Sequence, residues 1–290
     1  MTTKDTGKPY IMIPNVIVRN NGISNMSKMI YTSFAMSRNI NQTRLFQQTS
    51  ISGLLGMAGY KQRTENQNMV KQGLIELLEL GFISIYSDLA LSKEIKSIEI
   101  KGSTKFFVKF NDEEVYSKMF VNRFADDEVD KELIETGFTY TTVYVEDAIQ
   151  LFIYETKLNR ANLISFYLMA LSRALIGDKG NKYSTEPIEA LTKYADINEK
   201  TAYTYIKVLF DCQLLFKITM RQTVVRTGEI REHNVYTRWC DRDVIMNAME
   251  VNDWLMSMTL VKIGERVISE SERKSIKNKS RKQYGLSEIY

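Results

Sequence analysis

Apolar positions along the chain fall into two successive sets of elements that repeat each other. Near the amino end, Tyr10-Ile11-Met12-Ile13 has strand character and leads through Pro14-Asn15 to a helical segment, Met26 to Arg38, that ends Phe34-Ala35-Met36-Ser37-Arg38. About 132 to 135 positions later, Thr142-Val143-Tyr144-Val145 leads through Glu146-Asp147 to a helical segment, Ala161 to Arg173, that ends Met169-Ala170-Leu171-Ser172-Arg173. Further on, Leu74, Leu77, Phe82 and Ile83 correspond to Ile206, Leu209, Leu214 and Leu215. A period this long indicates two copies of a whole domain, because solenoid repeats are several-fold shorter.

Within the first copy, Ser24 to Arg38 places Met26, Met29, Ile30, Phe34 and Met36 on one helical stripe and predicts a first helix. Gln47 to Gly59, with Ile51, Leu54, Leu55 and Met57, predicts a short second helix that Gly56 and Gly59 bring to a turn. A polar turn, Lys61 to Asn66, offers Thr64 or Asn66 as N-cap, and Met69, Val70, Leu74, Leu77 and Leu78 mark the buried side of a third helix stopped by Gly81. Phe82 to Tyr86, Ile95 to Ile100 and Lys105 to Phe110 read as strands, with Lys101-Gly102-Ser103-Thr104 turning between the last two.

The second copy follows the same order. Asn162 to Ile176 reads as its first helix and Gly177 to Gly180 as a loop, and Thr185 to Tyr194 forms the second helix with Pro187 in its first turn. After a turn at Ala195-Asp196, Ile197 tucks into the core and Asn198 caps a third helix whose buried stripe is Ala202, Ile206, Leu209 and Phe210. Leu214 to Val225 and Ile230 to Trp239 make a hairpin around Arg226-Thr227-Gly228-Glu229. Each copy thus has the layout of a winged helix, a helix-turn-helix followed by a β-hairpin wing.

The expected fold is α+β and helix-rich. It comprises a polar arm (1–9), a first winged-helix domain (10–112), a helical linker (113–138), a second winged-helix domain (139–240), a helical extension (241–270) and a basic tail (271–290). Val115, Met119, Phe120 and Phe124 give the linker an apolar side, and a stripe from Val244 to Leu260 assigns the extension to the second core or to a dimer contact.

That layout suits duplex DNA. A helix fits the major groove, where each base pair shows its own donor and acceptor pattern, while the preceding helix and the wing rest on phosphates. The first copy offers Lys61, Gln62 and Arg63 in the turn, Gln67, Asn68, Lys71 and Gln72 on the third helix, and Lys101 and Lys105, with Lys96, in the wing. The second offers Lys200, Thr201, Tyr203, Thr204 and Lys207 on the helix and Arg221, Arg226 and Arg231 in the wing. Of Tyr203 and Tyr205, one is expected to pack beneath the wing.

Composition narrows the picture. At 290 residues and 44% hydrophobic content the chain can bury two ordinary cores, and neither a signal peptide nor a run of about 18 apolar residues is present, so a cytoplasmic protein without a membrane partner is expected. Two cysteines, Cys212 and Cys240, suit neither a disulfide framework nor a metal knuckle and read as plain thiols. The net charge of +4 hides a concentration of positive charge. Residues 273–282 carry six cations and no acid, leaving the rest of the chain at −2. Such a tail is drawn to polyanions, or is simply a solvated end.

The residues that catalysis would need are missing. His233 is the single histidine, too few for a rolling-circle nuclease; Gly177-Asp178-Lys179-Gly180 lacks the spacing and following Ser or Thr of a phosphate loop. Asp126-Asp127-Glu128 projects to different faces of a helix and reads as a solvated acidic linker. No enzyme activity, cofactor or metal is therefore expected.

The segment Tyr10-Ile11-Met12-Ile13-Pro14-Asn15-Val16-Ile17, the helix Ser24 to Arg38 and the helix-turn-helix through Phe82-Ile83 resemble the amino-terminal domain of bacterial plasmid and phage replication initiators. With the second copy, the layout is similar to initiators that bind origin repeats through tandem winged helices. The resemblance implies that Gln67, Asn68, Lys71, Lys200, Tyr203, Thr204 and Lys207 occupy DNA-reading positions, and that self-association and host replication proteins join duplex DNA as partners. No clear leucine zipper lies near the amino end, and the tail has no obvious helicase-binding motif. Two other readings stand beside it: a transcriptional or partition regulator with the same contacts, and a protein-interaction scaffold that binds no DNA.

Overall fold

Strand β1 (Tyr10–Pro14), the first described element, does not stay with the repeat it opens. It pairs antiparallel with β5 (Tyr140–Tyr144), the opening strand of the second repeat, in the register Tyr10↔Tyr144 to Pro14↔Tyr140. The computed structural model describes residues 8–40, 46–96, 101–111, 140–174, 176, 182–223 and 230–243, together with 278 and 282. The expected linker lies outside the described residues, as do the extension and basic tail apart from 241–243, 278 and 282. Among the described residues the fold is α+β, with eight α-helices and three small antiparallel sheets.

After β1 the first repeat runs α1 (Asn15–Val18), α2 (Asn25–Ile40), β2 (Phe46–Thr49), α3 (Ile51–Met57), α4 (Thr64–Glu79), β3 (Ile83–Tyr86) and β4 (Phe106–Phe110). After β5 the second runs α5 (Val145–Ile153), α6 (Arg160–Ala170), β6 (Tyr183–Ser184), α7 (Ile188–Ala195), α8 (Glu199–Asp211), β7 (Leu215–Thr223) and β8 (Ile230–Arg238), followed by a 3₁₀ turn, Trp239–Asp241. The two three-stranded sheets match, β2-β4-β3 in one repeat and β6-β8-β7 in the other.

Local chemistry explains most boundaries. The Ser50 hydroxyl accepts from the Gly53 amide (3.0 Å) at the start of α3, and the Asn198 side chain accepts from the Thr201 amide (2.8 Å) at the start of α8. Each satisfies one of the donors that a helix start leaves without a partner. The ends of α3, α4, α7 and α8 share one closing motif, in which a left-handed residue lets two amides reach back to helix carbonyls. At α4 these bonds are Phe82 N to Leu77 O (3.0 Å) and Gly81 N to Leu78 O (2.9 Å); at α8 they are Leu214 N to Leu209 O and Gln213 N to Phe210 O, both 2.9 Å. Gly59 and Gly81 take φ of +72° in the first repeat, and Asp196 (+47°) and Gln213 (+58°) take the matching places in the second.

Several elements differ from expectation. The segment expected as one helix from Gln47 splits into β2 and α3, because Phe46–Thr49 pairs with β4 before Ser50 caps the helix. Likewise, β6 precedes α7, and Pro187 is the residue that precedes the helix instead of lying in its first turn. The first helices run Asn25–Ile40 and Arg160–Ala170, the latter shorter than Asn162 to Ile176 and capped by Asn159. Ile95 to Ile100 is not a described strand; Glu94 makes an isolated bridge to Tyr86, and 97–100 lie outside the described residues. Neither Thr64 nor Asn66 caps α4, which begins after Arg63 without a side-chain cap. Met69 faces out, because Val70, Gly73, Leu74 and Leu77 complete the buried stripe without it.

Gly73 is required by packing. A Cβ there would come within 3.0 Å of Ile30 Cδ1 and 3.2 Å of the Ser27 amide nitrogen, so its absence lets α4 lie closely on α2. One hydrophobic cluster runs through both repeats, from Phe34, Leu74 and Phe106 to Phe166, Leu209 and Tyr236. The repeats therefore share a core. Helices α2 and α6 pack against each other beside the β1–β5 ribbon, and each helix start meets the other repeat.

Candidate nucleic-acid interface

The helices expected as third in each copy, α4 and α8, each bury one side and leave the other in water. On α8 the buried set is Ala202, Tyr205, Ile206 and Leu209, and Lys200, Tyr203, Thr204 and Lys207 are exposed on the opposite side. Thr201 is half-buried, with its amide and hydroxyl both donating to Asn198 Oδ1 at 2.8 Å, so it completes the helix start. Thr204 donates its hydroxyl to Lys200 O (3.2 Å), and the Lys217 ammonium lies 5.7 Å from the Tyr203 ring centre. Tyr205 is the packed tyrosine, but against Phe166 of α6, 6.2 Å between centroids, and not under the hairpin.

On α4, Asn68 and Gln72 are exposed and Lys71 and Gln67 half-buried. The Gln67 amide lies against the 101–104 turn, where a Cβ at Gly102 would come within 3.1 Å of it. Gly102 O also accepts from the Ser52 amide (2.8 Å), which ties the turn to the start of α3 and leaves Lys101 and Lys105 exposed beside α4. In the turn between α3 and α4, Lys61 and Arg63 are exposed, while Gln62 donates to Ser52 O (2.9 Å) and Asn66 to Lys61 O (2.8 Å). Arg221 and Arg231 lie on β7 and β8, opposite Glu232 and Gln222 in register. The side chains of both, and the whole of Arg226, are outside the described residues.

A joint between the repeats holds these helices in place, and no local sequence signal pointed to it. Asn15 donates to Ser172 O (3.2 Å) and accepts from the Thr141 hydroxyl (2.6 Å). Arg19 donates to Ser172 Oγ (3.0 Å) and Glu186 Oε1 (3.1 Å) and lies over the Tyr194 ring, with Arg173 also paired to Glu186. The Arg19 and Glu186 side chains are only 7% and 8% exposed, so this ion pair is shielded from solvent. The helix starts reach across reciprocally: Asn25 donates to Asn162 Oδ1 (2.9 Å) and Ala195 O (2.5 Å), and Tyr60 donates to Asn159 Oδ1 (2.9 Å). Lys28, which is fully buried, donates to Tyr194 O (2.6 Å); burial lowers its pKa to about 8 against the opposing pull of Asp196.

No family model matches this chain, and no curated protein matches it either.

Two clefts flank the joint at positions related by the repeat. One, of about 430 Å³, lies between the α3–α4 turn and the segment leading into α6. Lys61, Arg63, Lys157 and Arg160 line it without a carboxylate. The other, of about 960 Å³, lies between the α7–α8 turn, the segment leading into α2 and the side of α4 that carries Asn68 and Gln72; Glu65, Glu76 and Asp196 line it with Lys193. Among the described residues no group of His, Cys, Asp or Glu is arranged to hold a metal ion, and no helix is long and apolar enough to cross a membrane. Cys212 is buried, Cys240 is exposed, and both are free thiols.

Proposed function

We propose that this chain is a sequence-specific duplex-DNA-binding protein built from two winged helices, and that its role is replication initiation on a plasmid or phage. The observation that carries this reading is the pair of third helices, each with one buried side and one polar side in water, each followed by a hairpin in a three-stranded sheet of matching order. Helix, strand, two helices and a hairpin in that order supports a winged-helix reading, in which the helix before the hairpin would enter the major groove and the hairpin would rest beside it. The initiator role rests on the resemblance of the opening segment and of the tandem layout.

The reciprocal joint adds a geometric expectation. An antiparallel ribbon and mutual helix-start contacts relate the repeats by an approximate two-fold axis, so α4 and α8 approach DNA in opposite senses. The bound site is then two inverted half-sites of different sequence. This also suits a regulator at a promoter, and the neighbouring DNA separates the roles: repeated sites beside the coding region mark an initiator, a lone site over a promoter a regulator.

Fluorescence anisotropy with duplexes from that neighbouring DNA tests the reading. Lys200→Ala and Lys207→Ala each lower affinity and reduce the salt dependence by about one unit of slope. Unchanged slopes for both would remove α8 from the interface, and a chain that binds no duplex at low salt would favour the protein-scaffold reading.

A further inference from the structure

We propose that the basic cleft between residues 58–63 and 156–160 grips a single backbone phosphate of the bound duplex, using cations from both repeats. The inference rests on the DNA-binding reading above and extends it to Lys157 and Arg160, which lie on neither third helix and on neither hairpin. Lys61, Arg63, Lys157 and Arg160 all face a space of about 430 Å³, and none of the four forms an ion pair among the described residues. Four cations with no carboxylate between them repel one another. An anion in the space relieves that repulsion, and a phosphodiester brings charge and acceptor oxygens together.

The walls are built and not merely charged. Arg160 is 8% exposed, and its guanidinium is anchored by donation to Tyr154 O (2.5 Å), leaving further N–H donors on a fixed planar fork. Gly59 stands behind it at φ +72°, where a Cβ would come within 3.3 Å of Arg160 Nη2. Tyr60 donates to Asn159, the cap of α6, so the two walls are bonded to each other. The first turns of α4 and α6 both border the space, and the partial positive charge of a helix start adds to that of the side chains.

The related cleft makes the assignment selective. Glu65, Glu76 and Asp196 there outnumber Lys193, so the related cleft, whose α4 side carries Asn68 and Gln72, lacks the unopposed cluster of cations that a second phosphate grip would need. One phosphate held on one side of an approximate dyad fixes which repeat sits on which half-site.

The test uses the full chain and a labelled duplex of about 30 base pairs taken from DNA beside the coding region, titrated at several KCl concentrations. Lys157 is exposed and tolerates removal. Lys157→Ala is expected to weaken binding about five-fold and to lower the salt slope by about one. Lys193→Ala in the acidic cleft serves as control and leaves both unchanged. Duplex also protects Lys157 from acetylation, and inorganic phosphate at the same phosphate concentration does not. Wild-type binding with no change in Lys157→Ala overturns the grip and leaves the DNA-binding reading standing, whereas loss of all wild-type binding overturns both. Equal loss in Lys193→Ala, or equal protection by inorganic phosphate, also overturns the grip, the latter by showing a free-anion site.

Discussion

The two repeats reach the same backbone by different chemistry. Where the ends of α3 and α4, and of α7 and α8, need a left-handed residue, the first repeat uses Gly59 and Gly81 and the second uses Asp196 and Gln213. At the start of the third helix the pattern reverses. Asn198 caps α8 with its side chain, but Arg63 leaves α4 without a side-chain cap. Inside the first helices, Lys28 of α2 occupies the place that Leu163 has in α6, and both are buried. The clefts differ most: the charged residues lining one are all cations, and those lining its relative are three acids and one lysine. Backbone geometry is what the repeats preserve, and charge is what they vary. On the proposed DNA-binding reading, a pair of helices on near-equivalent frames would then meet two unlike half-sites.

The largest expected effect breaks the joint that makes the comparison possible. Glu186→Gln removes the carboxylate shared by Arg19 and Arg173 and leaves the shielded Arg19 charge without its partner, which costs about 3–5 kcal/mol for a buried pair. Urea denaturation should show a midpoint lowered accordingly; an unchanged midpoint would mean that the repeats are held by the ribbon and shared core alone.

Next comes the pH response of Lys28. Its folded pKa near 8 lies below the unfolded value near 10.5, so between these pH values the unfolded chain holds a proton that the folded chain has lost. Stability therefore rises from pH 8 toward pH 10.5, and Lys28→Leu, which installs the second repeat's residue type, flattens that rise. Denaturation midpoints across this window check the sign. A wild-type curve that falls while the variant's does not would reverse it.

The smallest effect exchanges turn residues between repeats. Gly81→Ala forces a side chain into a left-handed conformation and lowers stability by about 1–2 kcal/mol, whereas Gln213→Gly relieves the same strain and raises it by up to about 1 kcal/mol. Both are read from thermal or urea midpoints, and a matching sign for the two would contradict the shared closing motif.

Much of the layout was legible because it is written locally. The Asn198 cap, the stop at Gly81 and the apolar stripes of α4 and α8 each depend on residues within a turn or two of one another. Strands β2 and β6 were missed because four and two residues are too short for an alternating pattern, and the pairing that stabilises them lies on β4 and β8. Of the strand expected over Ile95 to Ile100, only Ile95 and Lys96 lie among the described residues, and the Ile95 amide donates to Ile85 O of β3 (2.7 Å). Met69 and Tyr205 show the limit of periodicity, which locates a stripe but not its edges. For the candidate interface, the exposed cations of α8 and the first turn were legible, while Arg19 and Lys28 acquire meaning only through contacts with the other repeat, and Lys157 and Arg160 only through the cleft they share with it. Nothing in a sequence window spans the distance from Tyr10 to Tyr144.

The ribbon of β1 and β5 belongs to a single polypeptide, so the equilibrium that brings the two heads together contains no concentration term. Dilution separates a dimer of two chains but cannot separate these heads, and once one of them has found its target the other is already tethered at high local concentration. Under the proposed DNA-binding function, a protein made this way would keep both heads engaged even when a cell holds very few copies of it.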